Sequence, residues 1–598
     1  MKQIWNKKYR KTVIGGLVLL AVPVAAFYLM EGYTHNPFAE VRPWAQFFNI
    51  VLFELLAWIF VCLTGRIRSG LRIELVIAMI YGIANAYVVR FRTNPIVPWD
   101  IFSWKTAASV ASNYDFKPDT RMVIMTLVFL ALIAGLHFVK TGFPKWKLWK
   151  RLIPVGACVV VLVLFVNLLQ DEVFQTGHRL YPFLFTPAFM AEVNGMAVTF
   201  AMDLAYVTVE KPSGYHAAEE QAVLESYESQ ENETDDNGGE EQLPNIIVVM
   251  NESFSDLKVL GDFTTNEDYM PYLHSLQNGA ENTVTGYLNV SVCGGNTANT
   301  EFEFLTGNSM AFLPQGSIPY QQYITKELPA LPAYLASLGY ETVATHPYYA
   351  DGWDRDTVYP MLGFSESIFK DQFWGTGYVR KYVSDNSCVD KIIELYEKKE
   401  AGKPLFVFNV TMQNHGGYSD TYDNFTPDIT VDGVQNEALS QYLSLIKLSD
   451  QALEKLISYF KEADEKTIVV FFGDHQPNDT VAAPILNLNG MTTKTLTEEQ
   501  LKLRYEVPYV IWANYDIAEE TGKDTSANYL AADVLQYAGI SENAYGNYLL
   551  ELQQNYPVVS AMRVLTKDGV DTNASSLKDE LREYQSLQYY QLFDWEKE

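Results

Sequence analysis

Apolar residues are unevenly spread along the chain. Five apolar stretches fall in the first 170 residues, at about 12–30, 46–64, 73–89, 121–139 and 152–169. Each approaches the ~20 residues that a helix needs to cross a bilayer. From Asn245 the pattern changes. Short β-branched and aromatic runs at 246–250, 342–344, 405–410, 467–472 and 509–512 read as buried strands. Helical periodicity lies between them at 328–338, 388–400 and 437–462. Alternation of the two predicts an α/β domain, a mainly parallel sheet flanked by helices, downstream of a five-helix membrane domain.

Charge orients the spans. Lys2, Lys7, Lys8, Arg10 and Lys11 precede the first, and Arg66, Arg68 and Arg72 separate the second from the third. Lys140, Lys145, Lys147, Lys150 and Arg151 separate the fourth from the fifth. By the positive-inside rule these segments are cytoplasmic, which puts everything after residue 170 outside. The small-residue run at 21–26 suits a signal peptide, but four further spans favour an uncleaved anchor. The loop at 90–121 carries Pro95, Pro98, Trp99, Phe102 and Trp104, which suit the membrane interface, as an amphipathic helix or an ordinary loop. Glu54 and Asn85 are polar at membrane depth, candidates for function or for bonding between helices.

The net charge of −28 is concentrated in the outer part and excludes nucleic acid as an expected partner. Ten acids and no base between Glu219 and Glu241 read as a solvated, disordered linker. Of four cysteines, Cys293 and Cys388 lie outside the spans, enough for one disulfide but not for a disulfide-built domain.

Candidate chemistry gathers at predicted strand ends, where open α/β sheets place their ligands. The strand ending at Phe472 runs into Gly473, Asp474 and His475, a hard oxygen donor beside a nitrogen donor. The first strand ends in Asn251, Glu252 and Ser253. A Gly-rich turn, Cys293 to Thr300, leads toward a helix whose first backbone N–H groups would face an anion. Thr297 stands at that helix start, as an N-cap or as something reactive. His346, His415 and His475 each lie just past a strand.

In order, N-E-S after a strand, G-N-T-A-N-T-E-F-E-F, H-P-Y-Y-A-D-G-W-D-R-D-T-V-Y-P-M-L-G-F, M-Q-N-H-G-G-Y and G-D-H resemble the lipoteichoic acid synthase family. This is a membrane-anchored branch of the sulfatase/alkaline phosphatase superfamily. Hydropathy gives a five-span domain over 1–170 and composition a juxtamembrane segment and linker over 171–243, and the resemblance implies an extracellular sulfatase-like catalytic domain over 244–520. A C-terminal helical region over 521–598 would pack on it. It further implies one divalent metal, usually manganese with magnesium or zinc as alternatives, held by Glu252, Thr297, Asp474 and His475. Thr297 would be the nucleophile, and His346, Trp353, Arg355 and His415 would bind substrate. The implied reaction moves phosphoglycerol from phosphatidylglycerol to a glycolipid or polyglycerolphosphate acceptor at the outer face of a bacterial plasma membrane. Family members commonly carry an acid two positions after the histidine matching His346; this chain has Tyr348, with Asp351 nearby.

Other readings stand beside these. Thr300, one turn after Thr297, is a second candidate nucleophile. Arg355 suits a salt bridge to Asp354 or Asp356, and His415 suits a buried structural imidazole. A formylglycine sulfatase would need Pro and Arg after Cys293, which Gly294-Gly295-Asn296-Thr297 lacks. A phosphoethanolamine transferase, a hydrolytic phosphodiesterase and an inactive membrane receptor or scaffold complete the alternatives.

Overall fold

The computed structural model describes residues 2–92, 95–101, 116–139, 146–181, 187–204, 207–228, 243–314, 316–373, 375–493, 496–577 and 579–596. The expectations for Phe102, Trp104, Lys140 and Lys145 lie outside these residues, as does the acidic run from residue 229 to 242. The chain forms two compact units, which divide at Thr208 and Val209.

Among the described residues of the first unit, five helices are long and apolar enough to cross a membrane: Val13–Glu31, Pro43–Thr64, Ile67–Phe91, Thr120–Phe138 and Trp149–Leu169. Their apolar side chains meet in one core that includes Phe27, Phe53, Leu71, Leu75 and Phe129. Cationic side chains meet backbone carbonyls near helix ends: Arg72 donates to Ile133, Arg68 to His137 and Arg151 to Thr64. Cations are favoured there because helix C-termini leave carbonyls unpaired. Asn85 is accounted for locally, since its Oδ1 accepts from Ile96 N–H at 2.7 Å.

The second unit is built on one sheet. In chain order its strands are β1 (Asn245–Asn251), β2 (Thr283–Asn289), β3 (Glu341–His346), β4 (Glu366–Phe369), the hairpin β5 (Tyr378–Val379) and β6 (Tyr382–Val383), β7 (Leu405–Val410), β8 (Thr467–Gly473), β9 (Glu506–Ala513), β10 (Glu520–Thr521) and β11 (Thr525–Ser526). The main sheet runs β10-β2-β9-β8-β1-β7-β3-β4, with β11 also on β2. Strands β4, β3, β7, β1 and β8 are mutually parallel, and β9 is antiparallel to both β8 and β2.

Every residue of β1 is buried. Ile246, Val248 and Met250 serve one face of the sheet, whereas Ile247 and Val249 serve the other. Helices therefore cover both faces, Thr297–Thr306 and Ala527–Ala538 on one, Asp385–Lys398 and Glu437–Lys461 on the other. The period-2 alternation of a strand and two apolar layers explain why these runs are continuously hydrophobic.

The structure departs from the sequence pattern in several places, among them the short strands β4, β5, β6 and β10. Strand β2 escapes the pattern because Gly286 interrupts it; a Cβ there would meet Lys523 O at 2.0 Å, so the glycine is needed for close backbone approach. The sheet also takes up residues 525–526, and a small antiparallel sheet of Val558–Val559, Val564–Leu565 and Asp571–Thr572 accompanies the C-terminal helices. Finally, part of the acidic run is a helix, Ala217–Glu228. Its Val223, Leu224 and Tyr227 pack beside Tyr545 and Tyr548, which supplies the apolar burial that charge counting misses.

Candidate active site

Parallel register brings the strand ends together. Asn251 of β1 pairs with Gly473 of β8, Met250 with Val410 of β7, and Asn409 with Thr345 of β3. Glu252, Asp474, His346 and the segment after Val410 therefore emerge at one edge of the sheet. Gly473 allows this closeness, since a Cβ there would meet Phe254 O at 1.9 Å.

Glu252, Asp474 and His475 are buried and offer ligand atoms that all lie within 4.8 Å of one another. Asp474 Oδ1 accepts from the N–H groups of Ser253 at 2.7 Å and His475 at 2.8 Å. Among the described residues its Oδ2 has no hydrogen-bond partner; it lies 3.2 Å from His475 Nε2, which has none either. His475 Nδ1–H donates to Gln476 O at 2.9 Å, so the lone pair belongs to Nε2. Burial first, then the neighbouring Asp474, pushes the Glu252 carboxyl well above its ordinary range; burial likewise raises Asp474. Two buried acids facing an unpartnered imidazole nitrogen fit a divalent cation, which would compensate charges that are otherwise expensive to bury.

Thr297 opens the helix Thr297–Thr306, and its hydroxyl points to Glu252 Oε2 at 3.5 Å. The preceding loop is tied to the same edge, because Gly294 N–H donates to Gln476 O at 2.9 Å. Asn296 has φ 66° and Ser253 has φ 51°, left-handed conformations unusual for side-chain-bearing residues. Such strain persists where surrounding contacts dictate it, and here it flanks both Thr297 and Glu252. Thr300 is turned away: its Oγ1 donates to the backbone carbonyl of Asp474 at 2.8 Å.

His346 is buried and donates from Nδ1 to Val410 O at 3.0 Å. Burial, then Arg355, holds it well below its usual pKa. His415 is brought to about 3 by burial, then by Arg380 and His475. Both imidazoles are thus neutral near neutral pH. Trp353 and Asp354 have φ of 59° and 56°, a second strained turn.

Arg355 does not pair with Asp354 or Asp356. Its guanidinium is buried against Glu301, with Nε 3.1 and 3.2 Å from the two carboxylate oxygens and Nη2 bonded as well. Tyr359 donates to the same carboxylate at 2.8 Å. Glu301 is the first acid of the E-F-E-F continuation, one turn beyond Thr297, so this bond joins the helix Thr297–Thr306 to the strained Trp353 turn. Cys293 and Cys388 are both free thiols.

A polar floor lies beneath these residues. Asp385 Oδ2 accepts from Asn251 Nδ2 at 2.8 Å and Ser449 Oγ at 2.5 Å, and Asn414 donates to Asn251 at 3.0 Å. Asn251 and Asn414 immediately precede Glu252 and His415. The M-Q-N-H and N-E-S motifs contained that signal, although their asparagines attract no notice by residue type.

A Sulfatase family model matches residues 244–540. The chain is 30% identical over 522 residues to a Rhizobium meliloti (strain 1021) protein named for cyclic beta-1,2-glucan modification, covering 84% of this chain and 79% of that protein. It is 27% identical over 246 residues to lipoteichoic acid synthase 1 of Bacillus subtilis (strain 168), 39% of this chain and 36% of that one. The Streptococcus pyogenes phosphoglycerol transferase GacH, solved in complex with sn-glycerol-1-phosphate, shares the fold with a TM-score of 0.52 and 22% identity, over 64% of this chain and 95% of that chain.

Proposed function

The chain belongs to the sulfatase family of the sulfatase/alkaline phosphatase superfamily, as a multi-pass, lipoteichoic acid synthase-like member, and we propose that it is a metal-dependent phosphoglycerol transferase. The donor is phosphatidylglycerol, and the acceptor is a carbohydrate-bearing molecule, a glycolipid or glycan, or a growing polyglycerolphosphate chain. The relative named for glucan modification supports a glycan-type acceptor. The catalytic domain would lie outside the cytoplasm, close to lipid head groups. The observation that carries this reading is the pair of unpartnered buried atoms, Asp474 Oδ2 and His475 Nε2, beside Glu252 and the Thr297 hydroxyl.

Glu252, Thr297, Asp474 and His475 would hold one divalent ion, manganese by the family's habit. When bound it supplies Lewis acidity, lowering the pKa of the threonine hydroxyl and offsetting charge on the phosphoryl group. Thr297 Oγ1 attacks the phosphorus of the diester. Oγ1 gives up its proton and forms a bond to phosphorus, the bond to the diacylglycerol oxygen breaks, and that oxygen takes the proton up. The acceptor hydroxyl then attacks the same phosphorus, the bond to Oγ1 breaks, and the proton lost by the acceptor restores the Thr297 hydroxyl.

His346 and His415, neutral and near the site, are suited to donate to phosphate oxygens or to pass these protons. Arg355, already held by Glu301, acts by fixing the Trp353 turn against the nucleophile helix, and Trp353 packs on the glycerol. The test is release of diacylglycerol from labelled phosphatidylglycerol by full-length protein with manganese. Release should stop with a chelator and with Thr297→Ala, and mass spectrometry should find phosphoglycerol on Thr297. Release that persists in Thr297→Ala would refute the reading.

A further inference from the structure

Among the described residues, buried charges beside the site have counter-charges in two places. Glu301 neutralises Arg355. Glu252 and Asp474 together match a divalent ion. Arg380, only 4% exposed, is different. Among the described residues its guanidinium bonds go to carbonyl oxygens, Nη2 to Gln413 at 2.8 Å and His415 at 2.7 Å and Nη1 to Gly417 at 3.4 Å, while Nε has no partner. It lies between the rings of Tyr382 and Tyr418, 5.4 Å from each centroid. The acid whose charge reaches it, Asp420, is exposed, and Lys381 adds a second positive charge beside it.

The backbone gives a second, independent indication. Arg380 has φ 55° at the turn of the β5–β6 hairpin, where glycine or asparagine would be unstrained. A long cationic side chain in that conformation persists when surrounding contacts dictate it. Those contacts are with the loop that carries His415, and Tyr382, two residues on, lies 3.1 Å from His415 Nδ1 through its hydroxyl. The Tyr382 ring continues through Tyr348 to His346, at centroid distances of 6.4 and 6.2 Å.

We propose that Arg380 is a specificity-determining positioning residue: it pins the His415 loop and places an unmatched positive charge behind the head-group space, so that the site takes glycerol-type head groups and rejects those carrying an ammonium. The inference rests on the proposed phosphodiester transfer. An ammonium head group would have to approach a buried cation where water screens little, whereas a glycerol has no charge to repel. The guanidinium fork also holds three carbonyls at once, which a lysine cannot reproduce.

The test uses full-length protein with manganese in detergent micelles of fixed composition. It compares diacylglycerol release from phosphatidylglycerol, phosphatidylethanolamine and N-acetylated phosphatidylethanolamine. Wild type should prefer phosphatidylglycerol over phosphatidylethanolamine by about tenfold or more in kcat/KM, the effect of one uncompensated charge contact. Masking the amine by acetylation should restore a substantial part of the loss. This comparison needs no variant, so it holds even if substitutions at Arg380 unfold the protein.

Arg380→Gln should narrow the preference, whereas Arg380→Lys should keep it while lowering kcat for every donor. Equal use of the two natural lipids by wild type, or no gain on acetylation, overturns the inference while leaving the transferase reading intact. A proportional loss on all donors in folded Arg380→Gln also overturns it. Failure of wild type on every donor is instead the failure of the transferase reading itself.

Discussion

Thr297 Oγ1 faces Glu252 Oε2 at 3.5 Å, while Thr300 Oγ1, one turn later, donates to the carbonyl of Asp474 at 2.8 Å. The first hydroxyl is at the candidate metal site and the second is a strut beneath it. Thr297→Ala should therefore abolish diacylglycerol release without lowering the melting temperature appreciably. Thr300→Ala should cost about 1 kcal/mol of stability, a typical buried hydrogen bond, and retain measurable turnover. Thermal unfolding and activity measured on both proteins separate the two roles.

Glu301 holds the guanidinium of Arg355 deep inside the domain, with Tyr359 on the same carboxylate. Glu301→Ala leaves that cation buried without a partner and should destabilise the domain by about 3–5 kcal/mol. Replacing both residues together, Glu301→Leu with Arg355→Met, should recover much of that loss and yet leave transfer impaired, because the Trp353 turn is no longer anchored. A double-mutant cycle in denaturant, read beside activity, checks both halves.

Gly473 lets β8 pass the carbonyl of Phe254 at a distance no Cβ can tolerate. Gly473→Ala should displace Asp474 or fail to fold, with a loss of at least about 3 kcal/mol, the scale of severe overpacking. Reduced manganese protection against thermal unfolding would report the displacement in any protein that does fold.

His274 binds two acids, Asp268 at 2.8 Å through Nδ1 and Asp256 at 3.5 Å through Nε2. The hydrogen bond to Asp256 raises its pKa above the ordinary value against the opposing effect of burial, and Asp268 adds to the rise. A raised imidazole pKa means that the stabilisation is complete below the unfolded pKa and is lost as pH rises through the folded one. His274→Gln should thus lower stability at pH 5–6 by about 1 kcal/mol and much less at pH 9. Melting temperatures across that range give the sign directly.

Removal of metal offers a further check. With a chelator present, diacylglycerol release should cease, and added manganese should restore it and raise the melting temperature, since a ligand that binds only the folded state stabilises it. A thermal shift lost in Asp474→Asn would assign that stabilisation to the strand-end site.

Membrane spans and central strands were legible in the sequence because hydropathy and period depend on consecutive residues, as in the continuous run Thr467–Gly473. The motifs, through the family they resemble, marked Glu252, Thr297, Asp474 and His475 as a set, and parallel register brings the strand ends that carry Glu252, Asp474 and His475 to one edge. Partner choice was not legible. Arg355 reaches back 54 residues to Glu301 rather than to the acids on either side of it, and Thr300 is matched to a carbonyl 174 residues away. Arg380 meets the backbone of a loop more than 30 residues downstream. Hydrogen bonds of this kind depend on which surfaces the fold presses together, and a buried polar group takes whichever partner is in reach once water is excluded. Sequence alone marked the candidate residues and the helices long and apolar enough to cross a membrane; tertiary structure alone decided which of those candidates share one buried site and which are held by other partners, because only the fold sets which surfaces meet.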